Sequence, residues 1–242
     1  MKARAVYRRC HLFFLLNRIA TAASLNGPWR RLDKPLFGPD PKAWDNIDVS
    51  NPSPIIHGDG SVVLMYKGRG KKAQHMGLAT APTVDGPYTR NGSLQELPDL
   101  PGEDPWGWID PKTHTYHAVF HTGNGEDSAG THCWSADGKV WHGQNSPPAY
   151  TGHMSWADDT VQPYAGKETV LARRERPQIL LAGEAGNGSS YGIPHLLFTS
   201  AEDCVYDHMP DGGFGETCSV VKKDDKAVGT TKSYTVVAEV VR

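Results

Sequence analysis

Apolar residues in this chain fall into short, strand-length blocks separated by turn residues, and long stripes at helical spacing are missing. The clearest block is 51–68 (NPSPIIHGDGSVVLMYKG). It reads as a strand led by proline, a hairpin turn at Asp59-Gly60, and a second strand of Val, Leu, Met and Tyr. The same parts return in the same order at 104–123 (DPWGWIDPKTHTYHAVFHTG) and again from Arg176 (RPQILLAGEAGNGSSYGIPHLLFTSA). The prolines leading the three copies are Pro52, Pro105 and Pro177. A leading proline suits an innermost strand, because an edge strand loses no ladder bond to the missing N–H.

A second repeated element lies between these copies. Residues 18–30 read RIATAASLNGPWR and 76–90 read MGLATAPTVDGPYTR, sharing an A-T-A core, a turn and G-P-aromatic. A more worn copy is 131–142 (THCWSADGKVWH), with Trp141 where Trp29 and Tyr88 stand in the others. Two hairpins per unit of roughly 50 residues is the pattern of a β-propeller blade. The predicted fold is therefore all-β, a single propeller of meandering four-stranded antiparallel blades. The units are 1–37 (a partial first blade), 50–93, 103–150 and 175–203. An irregular loop or degraded blade at 204–232 and a closing strand at 233–242 complete the chain. In this register 7–16 is the second strand of its blade, 17–25 the third and 29–32 the fourth, so the chain begins mid-blade.

Composition agrees with many strands and tight turns: 26 Gly, 18 Pro and 7 Trp in 242 residues. With 25 basic and 27 acidic side chains the net charge is −2, which gives no electrostatic case for nucleic acid or an anionic membrane. The basic start and the apolar run 12–16 imitate a secretion signal, but the run is shorter than the roughly 7–15 residues such a core needs. No run approaches membrane-spanning length. The four cysteines, Cys10, Cys133, Cys204 and Cys218, form no C-x-x-C pair; Cys204 and Cys218 either close a loop around Gly212-Gly213 or stay free. The sequons at Asn91 and Asn187 are permissive of secretion, and neither a compartment nor an oligomeric state is assigned. Eleven histidines are scattered without ligand spacing, so neither a metal nor any other cofactor is assigned.

The residues immediately before the leading prolines are Asn51, Asp104 and Arg176, the last preceded by Glu175. In equivalent positions of a rotational repeat they point to a common axis. The ordered segments NRIATAASLNGPW, WDNIDVSNPSPIIHGDGSVVLMYKG, MGLATAPTVDGPY, EDPWGWIDP, SADGKVW and ERPQILL, over about 17–201, resemble a five-bladed glycosidase related to glycoside hydrolase family 43. The resemblance implies hydrolysis of O-glycosidic bonds in a plant- or algal-type oligo- or polysaccharide, within a funnel on the propeller axis. Carried over by position, Asp104 is the carboxylate that orients and tunes, and Glu175 is the general acid. The family's water-activating base lies in an H-D-P or N-D-P segment that this chain does not contain. Asp45 and Asp48 are the nearest substitutes, and weak activity is expected of the chain as written.

Every one of these residues also has a plainer reading. Glu175, between Arg174 and Arg176, is equally placed for a surface ion pair, and Asp104 for a turn cap ahead of Pro105. Asn51 is a turn former or a hydroxyl binder. Trp106 and Trp108 lie two apart and face one way, as core or as a sugar-stacking platform. Lys67 and Arg69 end one second strand and His121 ends the next; these, with Arg176, are candidate substrate contacts or solvated strand ends. The readings in play are a hydrolase, a degenerate carbohydrate-binding propeller and a protein-interaction scaffold.

Overall fold

The computed structural model describes residues 3–11, 14–24, 26–71, 74–93, 102–123, 128–144, 146–155, 168–171, 173–182, 190, 192–202, 205–208, 214–217 and 233–239. Among them there is no helix, and hence none long and apolar enough to cross a membrane. In chain order the strands are β1 (Ala3–His11), β2 (Phe14–Ala22), β3 (Arg30–Arg31), β4 (Asp48–Ile56), β5 (Val62–Arg69), β6 (Gln74–Ala81), β7 (Thr89–Ser93), β8 (Gly102–Ile109), β9 (Tyr116–Thr122), β10 (Ala129–Ser135), β11 (His142–Gln144), β12 (Tyr150–Thr151), β13 (His153–Ser155), β14 (Glu168–Val170), β15 (Arg173–Ala182), β16 (Ile193–Glu202), β17 (Val205–His208), β18 (Phe214–Thr217) and β19 (Ser233–Glu239). They build four blade-like antiparallel sheets: β1-β2-β3, β4-β5-β6-β7, β8-β9-β10-β11 with β12 beside β10, and β15-β16-β19. Two small pairs, β13-β14 and β17-β18, stand apart from them. The first strands β4, β8 and β15 lie side by side, with β1 and β2 against β4.

β5 shows why such sequences stack into blades. Val62, Leu64 and Tyr66 enter one core with Ile19, Val49 and Ala79, while Val63 and Met65 enter another with Ile55, Ile109 and Phe120. A strand buried on both faces needs an unbroken apolar run, which is what VVLMY supplies. A third core of Trp108, Val119, Tyr150, Ile179 and Leu197 joins the third sheet to the fourth. Large, fully buried side chains such as Tyr66, Phe120 and Ile55 each contribute roughly 1.5–3 kcal/mol. Close packing is helped by Gly107, where an added Cβ would lie 2.6 Å from Ile55 Cδ1.

Four details depart from the sequence reading. First, the prolines do not lead their strands. β4, β8 and β15 start three or four residues earlier, and Pro52, Pro105 and Pro177 sit in register breaks where no ladder bond is asked of them. Second, β1 ends at His11, which pairs with Phe14, so 14–16 belong to the same strand as 17–22 and not to the strand before it. Third, the segment expected to close the ring lies beside β16, pairing from Leu196↔Glu239 to Glu202↔Ser233 as the third strand of its sheet. Fourth, 204–232, expected as an irregular loop or a degraded blade, contains the two-stranded pair β17-β18, Val205↔Thr217 to His208↔Phe214, so it is not wholly irregular. Cys204, Cys218 and Asn187 lie outside the described residues.

At the far ends of the inner strands a clasp joins three sheets. The Ser190 hydroxyl accepts from the Ile56 N–H (3.2 Å) and donates to the Pro54 carbonyl (3.2 Å). Its carbonyl accepts from the Ile109 N–H at 2.7 Å, and the Gly192 N–H returns to the Ile109 carbonyl at 3.1 Å.

Candidate active site

The near ends of the inner strands carry a repeated distortion. Register shifts fall between Ser50 and Ser53 in β4, Glu103 and Trp106 in β8, and Glu175 and Gln178 in β15. At each, the residue before proline takes a left-handed backbone: φ is 50° at Asn51, 54° at Asp104 and 55° at Arg176. Such a conformation costs about 1–2 kcal/mol for an L residue, least for Asn and Asp. Strain repeated at one end of three neighbouring strands marks a region shaped for more than packing. The bulge also makes Asn51, Asp104 and Arg176 structural equivalents, while Ser50, Glu103 and Glu175 form a second equivalent set one residue earlier.

Asp104 is buried, and that desolvation raises its pKa; the Arg176 guanidinium pulls it back, while the carboxylates of Glu103 and Glu175 push it further up. The four side chains therefore share one electrostatic neighbourhood, with His121 acting on Asp104 as well. Glu175 is not paired with its chain neighbours: its Oε1 accepts from Arg173 Nη1 at 3.2 Å. Arg174 faces the opposite way, donating to Thr199 Oγ1 (3.0 Å) and the Thr151 carbonyl (2.9 Å), with its guanidinium 4.9 Å from the Tyr150 ring centre. Arg176 is exposed.

Glu103 was not singled out by the sequence reading, although it precedes Asp104 just as Glu175 precedes Arg176. Lys67 Nζ donates to its Oε2 at 2.7 Å, and His121 Nδ1 lies 3.8 Å from its Oε1. His121 holds the Glu103 carboxyl down to about 2 against the opposing effect of burial, and Lys67 adds to the lowering. His121 is buried, with Nε2 3.1 Å from the Ser128 hydroxyl. One donor atom each from Glu103, His121 and Glu175 lie within 4.8 Å of one another, a set that could hold a metal ion.

The remaining candidates divide. Lys67 reaches the cluster as the partner of Glu103. Asn51 takes the equivalent backbone position in β4, and its Oδ1 is buried without a hydrogen bond. Trp108 is core, with its ring stacked 5.2 Å from that of His117; Trp106 packs half-buried against the same core, its Nε1 unpartnered. The exposed Arg69 serves β5 through its carbonyl, which accepts from the Ile47 N–H at 2.9 Å. Both substitute bases are buried and already accept hydrogen bonds. Asp45 is wholly buried and accepts from Arg90 Nε (2.9 Å) and the Tyr66 hydroxyl (3.0 Å), while buried Asp48 accepts from the Ser50 hydroxyl (2.9 Å).

No family model and no curated protein matches the chain. Solved structures do. A family 117 glycoside hydrolase of the marine bacterium Zobellia galactanivorans superposes with a TM-score of 0.54 at 15% identity, over 98% of this chain and 56% of that one. The fold is that of the five-bladed β-propeller glycosidases. Fructan 1-exohydrolase IIa of Cichorium intybus gives 0.56 at 16% identity, over 92% and 43%. A glycosyl hydrolase from Bacteroides ovatus gives 0.53 at 14% identity, over 86% and 58%. The chain thus spans 43–58% of the length of these enzymes, and identities this low establish architecture alone.

Proposed function

We propose that this propeller is a glycoside hydrolase whose acid machinery includes Asp104 and Glu175, with Arg176 beside Asp104 and Asn51, Trp106, His121 and Lys67 shaping the substrate site. The observation that carries the reading is the meeting of Asp104 and Glu175, from the inner strands of adjacent sheets, in one charged cluster. It stands on the fold that glycoside hydrolases of several kinds share. Cleaving a glycosidic bond needs a carboxyl to protonate the leaving oxygen and an ionised carboxylate to assist water or attack the sugar. By position Glu175 supplies the proton and Asp104 orients; by surroundings, the raised pKa of Asp104 suits it to hold a proton. Glu103 does not supply an inverting base opposite Glu175. The two carboxylates offer atoms within 4.8 Å of each other, short of the roughly 6.5–9.5 Å that leaves room for the water.

Leaving-group chemistry separates the roles. On a panel of arabinofuranosides, xylosides and galactosides, Glu175→Gln is expected to lose about 10²–10⁴-fold in kcat with alkyl aglycones. It should retain most activity with dinitrophenyl aglycones, which depart without a proton. Asp104→Asn is expected to lose activity on both. The reverse pattern exchanges the two roles, and activity surviving both changes removes this mechanism. The plant- or algal-type glycan remains the proposed substrate class. The binding-propeller alternative draws on one observation, the engagement of Asp45 and Asp48 elsewhere; saturable sugar binding without turnover by the wild type would establish it.

A further inference from the structure

His121 poses a chemical question that its protein contacts leave open. Ser128 has one hydroxyl hydrogen, and it goes to the Arg174 carbonyl at 3.0 Å, since two oxygens that close with no proton between them would repel. The same Oγ accepts from the Arg174 N–H at 3.0 Å. His121 Nε2, 3.1 Å away, must then be the donor to that oxygen. With Nε2 donating to Ser128, Nδ1 is the ring nitrogen left for a further partner. That atom is buried in a residue only 3% exposed, has no hydrogen-bond partner, and faces Glu103.

We propose that Glu103, His121 and Glu175 form a binding site for a divalent transition-metal cation of the zinc type. The 3.8 Å between His121 Nδ1 and Glu103 Oε1 is too long for a hydrogen bond. It suits two atoms on one ion, because two bonds of about 2.1 Å span at most about 4.2 Å. The third donor, on Glu175, falls within the same 4.8 Å set, and a small side-chain rotation closes it. One imidazole nitrogen with two carboxylate oxygens favours zinc-like ions over calcium or magnesium, whose ligands are oxygen alone. The outer contacts match as well. Ser128 fixes the tautomer and orientation of the ring, Lys67 occupies the other oxygen of Glu103, and Arg173 holds Glu175. The three ligands come from β8, β9 and β15, so the ion would tie the third sheet to the fourth. Glu175 bound to a cation cannot donate a proton, so in a hydrolase the ion opposes turnover and takes no part in it.

Calorimetric titration of the whole chain with Zn2+, and optical titration with Co2+, test the site without any sugar present. Failure here therefore leaves the hydrolase reading untouched, and failure of that reading leaves the site untouched. Saturable one-to-one binding is expected, with a Co2+ absorption spectrum that shows nitrogen ligation. His121→Gln and Glu103→Gln should each abolish binding or weaken it at least about tenfold, and Ser128→Ala should weaken it about 10–100-fold. Circular dichroism reports whether each variant folds; if His121→Gln does not, the half-exposed Glu103 decides. No saturable binding to the wild type, binding unchanged in Glu103→Gln, or equally tight Ca2+ binding would overturn the site. So would an Nδ1 proton signal at neutral pH in nitrogen-15 spectra that persists in excess Zn2+, because a proton would then fill the place.

Discussion

Asp45 is a charge with no exposed surface, and its partners decide what it is for. Arg90 Nε and the Tyr66 hydroxyl both donate to its Oδ2, and Arg90 also reaches the Gly38 carbonyl and lies 4.8 Å from the centre of the Phe37 ring. Together they fasten the connection between β3 and β4 onto the second sheet. Removing one partner of a buried pair leaves the other unpaired, typically at about 3–5 kcal/mol. The Arg90 side chain keeps 25% of its surface in water, so Asp45→Ala is expected to cost less, about 2–3 kcal/mol. Tyr66→Phe, which loses one neutral donor, should cost about 1 kcal/mol. Urea midpoints check both, and an Asp45→Ala midpoint close to wild type would show that the network is not structural. The sequence placed Asp45 near the site but could not show this, because its partners are 21 and 45 residues away. Asp104 and Glu175, the proposed pair, were picked out for the opposite reason: a local signal, a carboxylate one or two residues ahead of an inner-strand proline, recurs in order. Glu103 carried the same signal and went unread, since its meaning depends on which of two bulge positions it fills. Ser128, Arg174 and Tyr150 matter only through contacts between sheets, which no spacing announces.

On the third sheet, Trp108, His117, His132, Trp134 and His142 form a continuous aromatic row across β8 to β11, with neighbouring ring centres 5.2 to 5.9 Å apart. His117 Nδ1 and His132 Nε2 are 3.1 Å apart, so the two rings share a single hydrogen there and are best satisfied neutral. Burial lowers the His132 pKa to about 4, with His117 adding to the effect, and burial lowers His117 too. Above the unfolded value of about 6.5 both states carry a neutral ring and His132 does not affect stability. Between there and about 4 the unfolded chain takes up a proton that the folded one refuses, so stability falls as pH falls, and the loss is complete below 4. The midpoint temperature of the wild type should therefore drop more steeply than that of His132→Phe from pH 7 to pH 4, the curves running parallel above pH 7. Equal slopes would refute the assignment. Strand positions were readable from alternation and turn residues, and the two-faced β5 from its unbroken apolar run. The bulges were not, because a proline at an edge looks the same whether it opens a strand or interrupts one.

Across the whole molecule the blades are held by two different means. Three apolar cores glue neighbouring sheets over their faces, and the sequence made this legible where a middle strand is apolar on both faces, as in β5 and β9. The Ser190 clasp was not legible: it joins residues 134 and 136 positions apart through one serine in a stretch of sequence rich in Gly and Ser. It ties the ends of β4 and β8 to the connection between β15 and β16, opposite the strained bulges, so three inner strands are fixed at one end and distorted at the other. Ser190→Ala removes the acceptor of the Ile56 N–H and the donor to the Pro54 carbonyl, a loss of about 1–2 kcal/mol for partly buried groups. If the clasp couples the sheets, amide exchange should speed up together at Ile56 on β4 and Ile109 on β8, although Ser190 contacts Ile109 only through its backbone. Hydrogen exchange read by mass spectrometry on overlapping peptides follows both at once. Faster exchange at Ile56 alone would mean that each inner strand is held by its own sheet, and that the serine secures a turn and not the propeller.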